Sequence, residues 1–275
     1  MFSLRLKKLL SFLLHGKQRP VYAKITCLEP SKKLEGKKIV VTGGGSGLGY
    51  AMAKRFVEEG AEVLISGRNV DALSKSAKEI GCQYLQLDVK DISTYDSFIE
   101  KADSMLAGIN CLVNNAGISL HEKTFFDVTE ESFRSQIDTN LTGTFFLTQH
   151  FAKYLIGKKI GGNILVISSE TGITSDIRPY GYTKAALNSM VEGVAYMLAK
   201  QNIRINAIAP GVTASKMTGR DPNGDISSNS NMLGRVYLPE EVAEIASFLL
   251  SDVSYCLTGH VLVCNNGKTI NSRVK

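Results

Sequence analysis

Lys38-Ile39-Val40-Val41-Thr42-Gly43-Gly44-Gly45-Ser46-Gly47-Leu48-Gly49 is the stretch whose reading decides the fold. A short β-branched run, Lys38–Thr42, breaks into glycines and then gives way to residues spaced as in a helix. Glycine lets the backbone turn tightly and approach a pyrophosphate, which then rests on the free N–H groups of the helix that follows. A Gly-rich turn can be merely a loop, but its placement between a strand and a helix favours a nucleotide. Gly43, Ser46, Gly47, Leu48 and Gly49 are therefore candidate cofactor contacts.

Outward from this loop, apolar runs alternate with helical patterns. The runs are Lys38–Thr42, Glu62–Ser66, Gln83–Leu87, Cys111–Val113, Asn163–Ser168, Arg204–Ala209 and His260–Cys264. Between them lie stretches with apolar residues at helical spacing, such as Val242 through Leu250. This alternation predicts an α/β fold, a doubly wound parallel sheet of the Rossmann type with helices on both faces. A chain of 275 residues suffices for one such domain, placed at 36–270. Ligands then bind outside the carboxyl ends of the strands.

The end of the second run selects the cofactor. An acid there accepts hydrogen bonds from the adenosine ribose, whereas an arginine neutralises a 2′-phosphate. The chain reads Ser66-Gly67-Arg68-Asn69, which favours NADP(H) through Arg68, with NAD(H) as the alternative. The plainer reading of Arg68 is a solvated loop residue. Asp88 and Val89 close the third run; a strand-end Asp can meet an adenine or cap a helix. Asn114, Ala116 and Gly117 close the fourth, as a turn beside the cofactor or simply a turn.

Tyr180 and Lys184 are four residues apart, just before the helical run Ala185–Ala199, and so share a helix face. A phenol is a poor base at neutral pH, and a nearby ammonium favours its phenolate. Such a tyrosine can exchange a proton with a carbonyl oxygen while a hydride moves at the carbon. Tyr182 points elsewhere and cannot pair with Lys184 in this way. Upstream, Ser168 and Ser169 end the fifth run, where a hydroxyl can hold the substrate oxygen against the phenol.

Taken together, these pieces resemble the short-chain dehydrogenase/reductase family, and its 3-oxoacyl-thioester reductases in particular. The matching motifs are T-G-x-x-x-G-x-G at Thr42–Gly49, N-N-A-G at Asn114–Gly117, Asn140, the serine strand end, Y-x-x-x-K at Tyr180–Lys184, and Pro210-Gly211 with Thr213. The resemblance implies Tyr180 as catalytic acid and base. It implies that Lys184 binds the nicotinamide ribose and lowers the tyrosine pKa. Ser169 would orient the substrate oxygen, Asn140 would hold a relay water, and Pro210, Gly211 and Thr213 would lie at the nicotinamide. Residues 214–237 would fold over the substrate, a small carbonyl or alcohol compound. Ser169 keeps the family's S-x-x-G in Ser169-Glu170-Thr171-Gly172, with Ser168 as the alternative.

Three features depart from the pattern. The serine-to-tyrosine spacing is about two residues short, by comparison with the strand–helix–motif layout of the family. The last strand closes as Cys264-Asn265-Asn266-Gly267 in place of an acidic Asp-Gly-Gly, and a basic extension precedes the domain. A non-catalytic nucleotide-binding scaffold or redox sensor on the same fold is the alternative function, since fold does not fix function. The intact Asn140, Ser169, Tyr180 and Lys184 favour the enzyme. The resemblance, with the apolar helix Thr139–Leu155 and its Phe145, Phe146, Leu147 and Phe151, implies a homo-oligomer, a dimer or tetramer.

Composition narrows the setting. The net charge of +6 is concentrated toward the N-terminus, without the aromatic-interleaved basic face of a nucleic-acid binder. The five cysteines are scattered, with no C-x-x-C and no His at ligand spacing, so neither a metal site nor a disulfide framework is expected and the cytoplasm is the default compartment. Residues 1–35 form a basic extension. Phe2, Leu6, Leu9, Leu10 and Leu13 would share one face of a helix at 1–15, opposite Lys7, Lys8, Ser11 and His15. That segment reads as a docked helix, a peripheral membrane contact or an organelle-targeting peptide.

Overall fold

The computed structural model describes residues 31–229 and 231–270, so the amphipathic segment at 1–15 lies outside the described residues. Its centre is one parallel sheet of seven strands: β1 (Lys38–Thr42), β2 (Glu62–Gly67), β3 (Gln83–Gln86), β4 (Cys111–Asn114), β5 (Gly162–Ile167), β6 (Ile203–Pro210) and β7 (Val261–Cys264). The spatial order β3-β2-β1-β4-β5-β6-β7 reverses between β1 and β4. A crevice opens at that reversal, because successive connections leave to opposite sides of the sheet.

Alternation along the strands builds two cores. Val40 faces one and its neighbours Ile39 and Val41 face the other, as the two-residue period of a strand requires. On the first face α3 (Tyr95–Leu106), α5 (Gly143–Lys158) and α6 (Pro179–Ala199) bring Phe98, Phe151, Leu155, Leu187 and Val191 against the sheet. On the second, α1 (Gly47–Glu58), α2 (Val70–Ile80) and α7 (Pro239–Leu250) bring Met52, Phe56, Leu73 and Leu249. Each such side chain contributes about 1.5–3 kcal/mol of burial free energy.

Two helices differ from expectation. The helix expected at Thr139–Leu155 is α5, running to Lys158, and is preceded by a π-helical turn, Ile137–Thr142, that follows α4 (Glu130–Gln136). Of its four apolar residues, Leu147 and Phe151 are buried in the protomer's own core, Phe146 packs partly against it, and Phe145 is exposed. The helix after the tyrosine motif starts earlier than its apolar run suggests, at Pro179 in place of Ala185. Pro fits there because the first helical N–H has no intrahelical partner. Tyr180 and Lys184 are thus on the helix itself.

Candidate active site

The loop after β1 and the loop after β4 are buckled together at the sheet reversal. The Thr42 hydroxyl accepts from the backbone N–H of Asn115 and of Ala116, both at 3.0 Å. In return the Asn115 amide donates to the Thr42 carbonyl at 2.9 Å. Gly43 and Gly47 adopt φ of +66° and +55°, which side chains rarely tolerate. A Cβ on Gly43 would also stand 2.9 Å from the Asn115 amide nitrogen. Ser46 precedes α1 without a side-chain cap, and the first turn of α1 carries no acid. Its N–H groups are therefore open to an anion at the positive end of the helix.

A cleft of about 1020 Å³ runs along the carboxyl ends of the strands from this cradle. Every cofactor residue expected from the sequence lines it except Asn114. Asn114 is buried and its amide donates to the Thr148 hydroxyl at 2.9 Å, so it braces β4 against α5. At the far end Arg68 is exposed, Asn69 is used as the cap of α2, and the buried Ser66 hydroxyl has no partner among the described residues. A glycine cradle and an open helix N-terminus fit the pyrophosphate of a dinucleotide. Asp88 lines the cleft too, while its carboxylate accepts from the Lys90 N–H at 3.0 Å.

The chemistry gathers at the other end. Tyr180 and Lys184 both face the cleft, with the ammonium 5.5 Å from the phenol ring centre, while Tyr182 turns to solvent. Ser169 lines the cleft with Tyr180 and favours its phenolate. The Ser169 oxygen also accepts from the Thr171 hydroxyl at 3.0 Å and the Thr171 N–H at 3.3 Å. With its lone pairs taken, the serine has its proton to give. Ser168 instead donates to the Lys184 carbonyl at 3.3 Å, away from the phenol.

Burial raises the Tyr180 pKa above 10.0, opposed by the Ser169 hydrogen bond and the Arg178 charge. Lys184 donates to the Ile167 carbonyl at 2.7 Å, and desolvation lowers its own pKa to about 8.

Asn140 lies in the π-helical turn, fully buried and off the cleft wall. Its carbonyl accepts from the Ile118 N–H and its amide donates to the Ile118 carbonyl, both at 2.8 Å. It thereby fixes the loop after β4 beside Gly117. Sequence reasoning passed over Thr42, Asn115, Thr171 and Arg178. The first two stand inside the quoted motifs and could have been found by asking what holds the two loops together. Arg178 is tied to Asp176 at 2.8 and 2.9 Å and lines the cleft two residues before Tyr180.

Known proteins resemble the chain over nearly all of its described residues. Residues 43–269 match a family described as enoyl-(acyl carrier protein) reductase. The chain is 36% identical over 247 residues to the 3-oxoacyl-[acyl-carrier-protein] reductase FabG of Thermotoga maritima, covering 86% of this chain and 100% of the relative. It is 32% identical over 249 residues to the NADP-dependent (R)-specific alcohol dehydrogenase of Lentilactobacillus kefiri, covering 86% and 98%. Among solved structures, a short-chain type dehydrogenase/reductase from Mycobacterium marinum superposes with a TM-score of 0.80 at 30% identity, over 87% of this chain and 98% of that one.

Proposed function

The chain belongs to the short-chain dehydrogenase/reductase family of oxidoreductases, and from that premise we propose that it moves a hydride between NADP(H) and a carbonyl or secondary alcohol, with Tyr180 as proton donor and acceptor. The observation that carries this reading is the placement of Tyr180, with the Lys184 ammonium 5.5 Å from its ring centre, and of Ser169 in the same cleft as the glycine cradle. When bound, the cofactor supplies or takes up the hydride at its nicotinamide. Ser169 donates to the substrate oxygen and holds it at the phenol, and Tyr180 gives that oxygen its proton in reduction and removes it in oxidation. Lys184 places a desolvated ammonium beside the phenol and would hold the nicotinamide ribose. Asn140 keeps the loop after β4 in register with them. The test is NADPH oxidation by purified protein against 3-oxoacyl thioesters, sugars or polyols, and small ketones. Turnover with one class is expected, and inertness with all three, despite NADPH binding, would favour the scaffold reading.

Arg68 is proposed to select NADPH. Only a 2′-phosphate gains a charge-assisted contact there, so Arg68→Ala is expected to weaken NADPH by roughly ten- to a hundredfold and NADH little. Equal losses in titrations of the two cofactors would remove Arg68 from this role.

The protein is also proposed to be a symmetric dimer or tetramer. Phe145 and Ile156 on α5 and Tyr196 and Met197 on α6 are exposed apolar side chains that a second copy could cover. Light scattering at micromolar concentration should give two or four times the protomer mass; a monomer would contradict it.

A further inference from the structure

We propose that Lys268, in the turn that follows the last strand, is a positioning residue for the reaction, acting through Glu170 to fix the loop that aims Ser169. The inference rests on the reading of Ser169 as the hydroxyl that orients the substrate oxygen.

Glu170 directly follows Ser169 and begins the one-turn helix Glu170–Gly172. Its side chain is only 8% exposed. A buried carboxylate is costly unless it is paired and its remaining lone pairs are satisfied. Here one oxygen accepts from the Lys268 ammonium at 2.6 Å and the other from the Asn265 amide at 3.3 Å. Asn265 is itself held, donating to the Thr269 hydroxyl at 3.0 Å.

The departure of the last strand from the family pattern thus has a structural use. After Asn265 the chain takes positive φ at Asn266, +52°, and at Gly267, +77°. These two left-handed residues turn the backbone back on itself, and the Lys268 N–H donates to the Asn265 carbonyl at 3.2 Å. The turn returns the Lys268 ammonium to the serine loop, where a chain continuing outward would carry it away.

The serine loop is also held from the side of β5 and α6. Thr171 donates to Ser169 within the loop, and the Asn188 amide of α6 donates to the Gly172 carbonyl at 3.1 Å. Backbone N–H groups of Gly172 and Ile173 close the turn by donating to the Ser169 and Glu170 carbonyls at 2.9 and 3.0 Å, but none of these bonds restrains the Glu170 side chain. The Lys268–Glu170 tie does, from β7 at the edge of the sheet. The same corner holds the stem of the segment over the substrate. Tyr237 pairs with Thr213, and its ring and the Asn265 side chain both crowd Gly211, where a Cβ would stand 3.2 Å from Asn265 Cβ. Serine, nicotinamide-side turn and C-terminal turn therefore share one packed node.

Positioning differs from general stabilisation in its dependence on Ser169. Lys268→Met is expected to lower kcat about tenfold, the scale of coupling between residues in one network, and to leave NADPH affinity unchanged. Lys268→Arg should restore most of the loss. In a Ser169→Ala background, Lys268→Met should lower the residual rate no further, because the hydroxyl it positions is gone. An equal further loss in that background would overturn the inference, as would a lowered Tm with unchanged kcat in Lys268→Met alone. If Ser169→Ala itself retains full turnover, the reading of the site fails and this inference with it. If Ser169→Ala is crippled and Lys268→Met is silent, only this inference fails.

Discussion

Tyr180→Phe is expected to lower turnover by about two orders of magnitude or more, the usual worth of a positioned general acid or base. The phenylalanine keeps the ring that packs at the start of α6 and removes only the oxygen that meets Ser169. NADPH affinity should hold, because the glycine cradle and Arg68 are untouched. The control is Tyr182→Phe, which alters a side chain turned to solvent and should leave turnover close to wild type. Steady-state rates and cofactor titrations on both variants check the prediction. Reversal of the two results would assign the chemistry to the wrong tyrosine.

Lys184→Met should separate activity from stability. Desolvation lowers the Lys184 pKa from 10.5 to about 8. In the unfolded chain the ammonium keeps its ordinary pKa, so between about pH 8 and pH 10.5 the unfolded state binds more protons and stability rises with pH. Below that window the cofactor-free fold carries the full cost of a buried charge, about 3 kcal/mol at 1.36 kcal/mol per pKa unit. Methionine removes that cost but also the hydrogen bond to the Ile167 carbonyl, worth roughly 1–2 kcal/mol. The net expectation at neutral pH is a gain of about 1–2 kcal/mol, or a few degrees in Tm, that shrinks as pH approaches 10.5. Turnover should fall at least about tenfold, since no ammonium then lies beside the phenol. Thermal melts of the cofactor-free variant across pH read out the first effect. A lower Tm at neutral pH would mean that the hydrogen bond outweighs the desolvation.

The strands were legible because both faces of the sheet are covered, which forces short apolar runs separated by turns. Expected and observed bounds differ by a residue or two, as at β4, where Asn114 extends the run beyond Val113. The cleft lining was legible for a related reason: glycines and short polar residues at strand ends let the backbone approach a ligand. What sequence spacing could not convey is where a polar side chain spends its hydrogen bonds. Asn114 and Asn140 look alike in the motifs, yet each is occupied inside the fold, one on Thr148 and the other on Ile118. The π-helical turn that carries Asn140 leaves no mark in the apolar period, because it shifts the register once and then returns to α geometry. Nor could spacing join Glu170 to Lys268, whose contact spans 98 residues and depends on a turn set by two positive φ angles.

The central claim is that a hydride passes between NADP(H) and a carbonyl carbon while Tyr180 moves the proton. The measurement that tests it most directly is the transfer of deuterium from NADPH carrying deuterium at both nicotinamide C4 positions, followed by mass spectrometry of the alcohol product. The account predicts one deuterium on the carbinol carbon with the wild-type protein, at a rate that collapses in Tyr180→Phe. Product formed without the label, or labelled product from Tyr180→Phe at the wild-type rate, would contradict it.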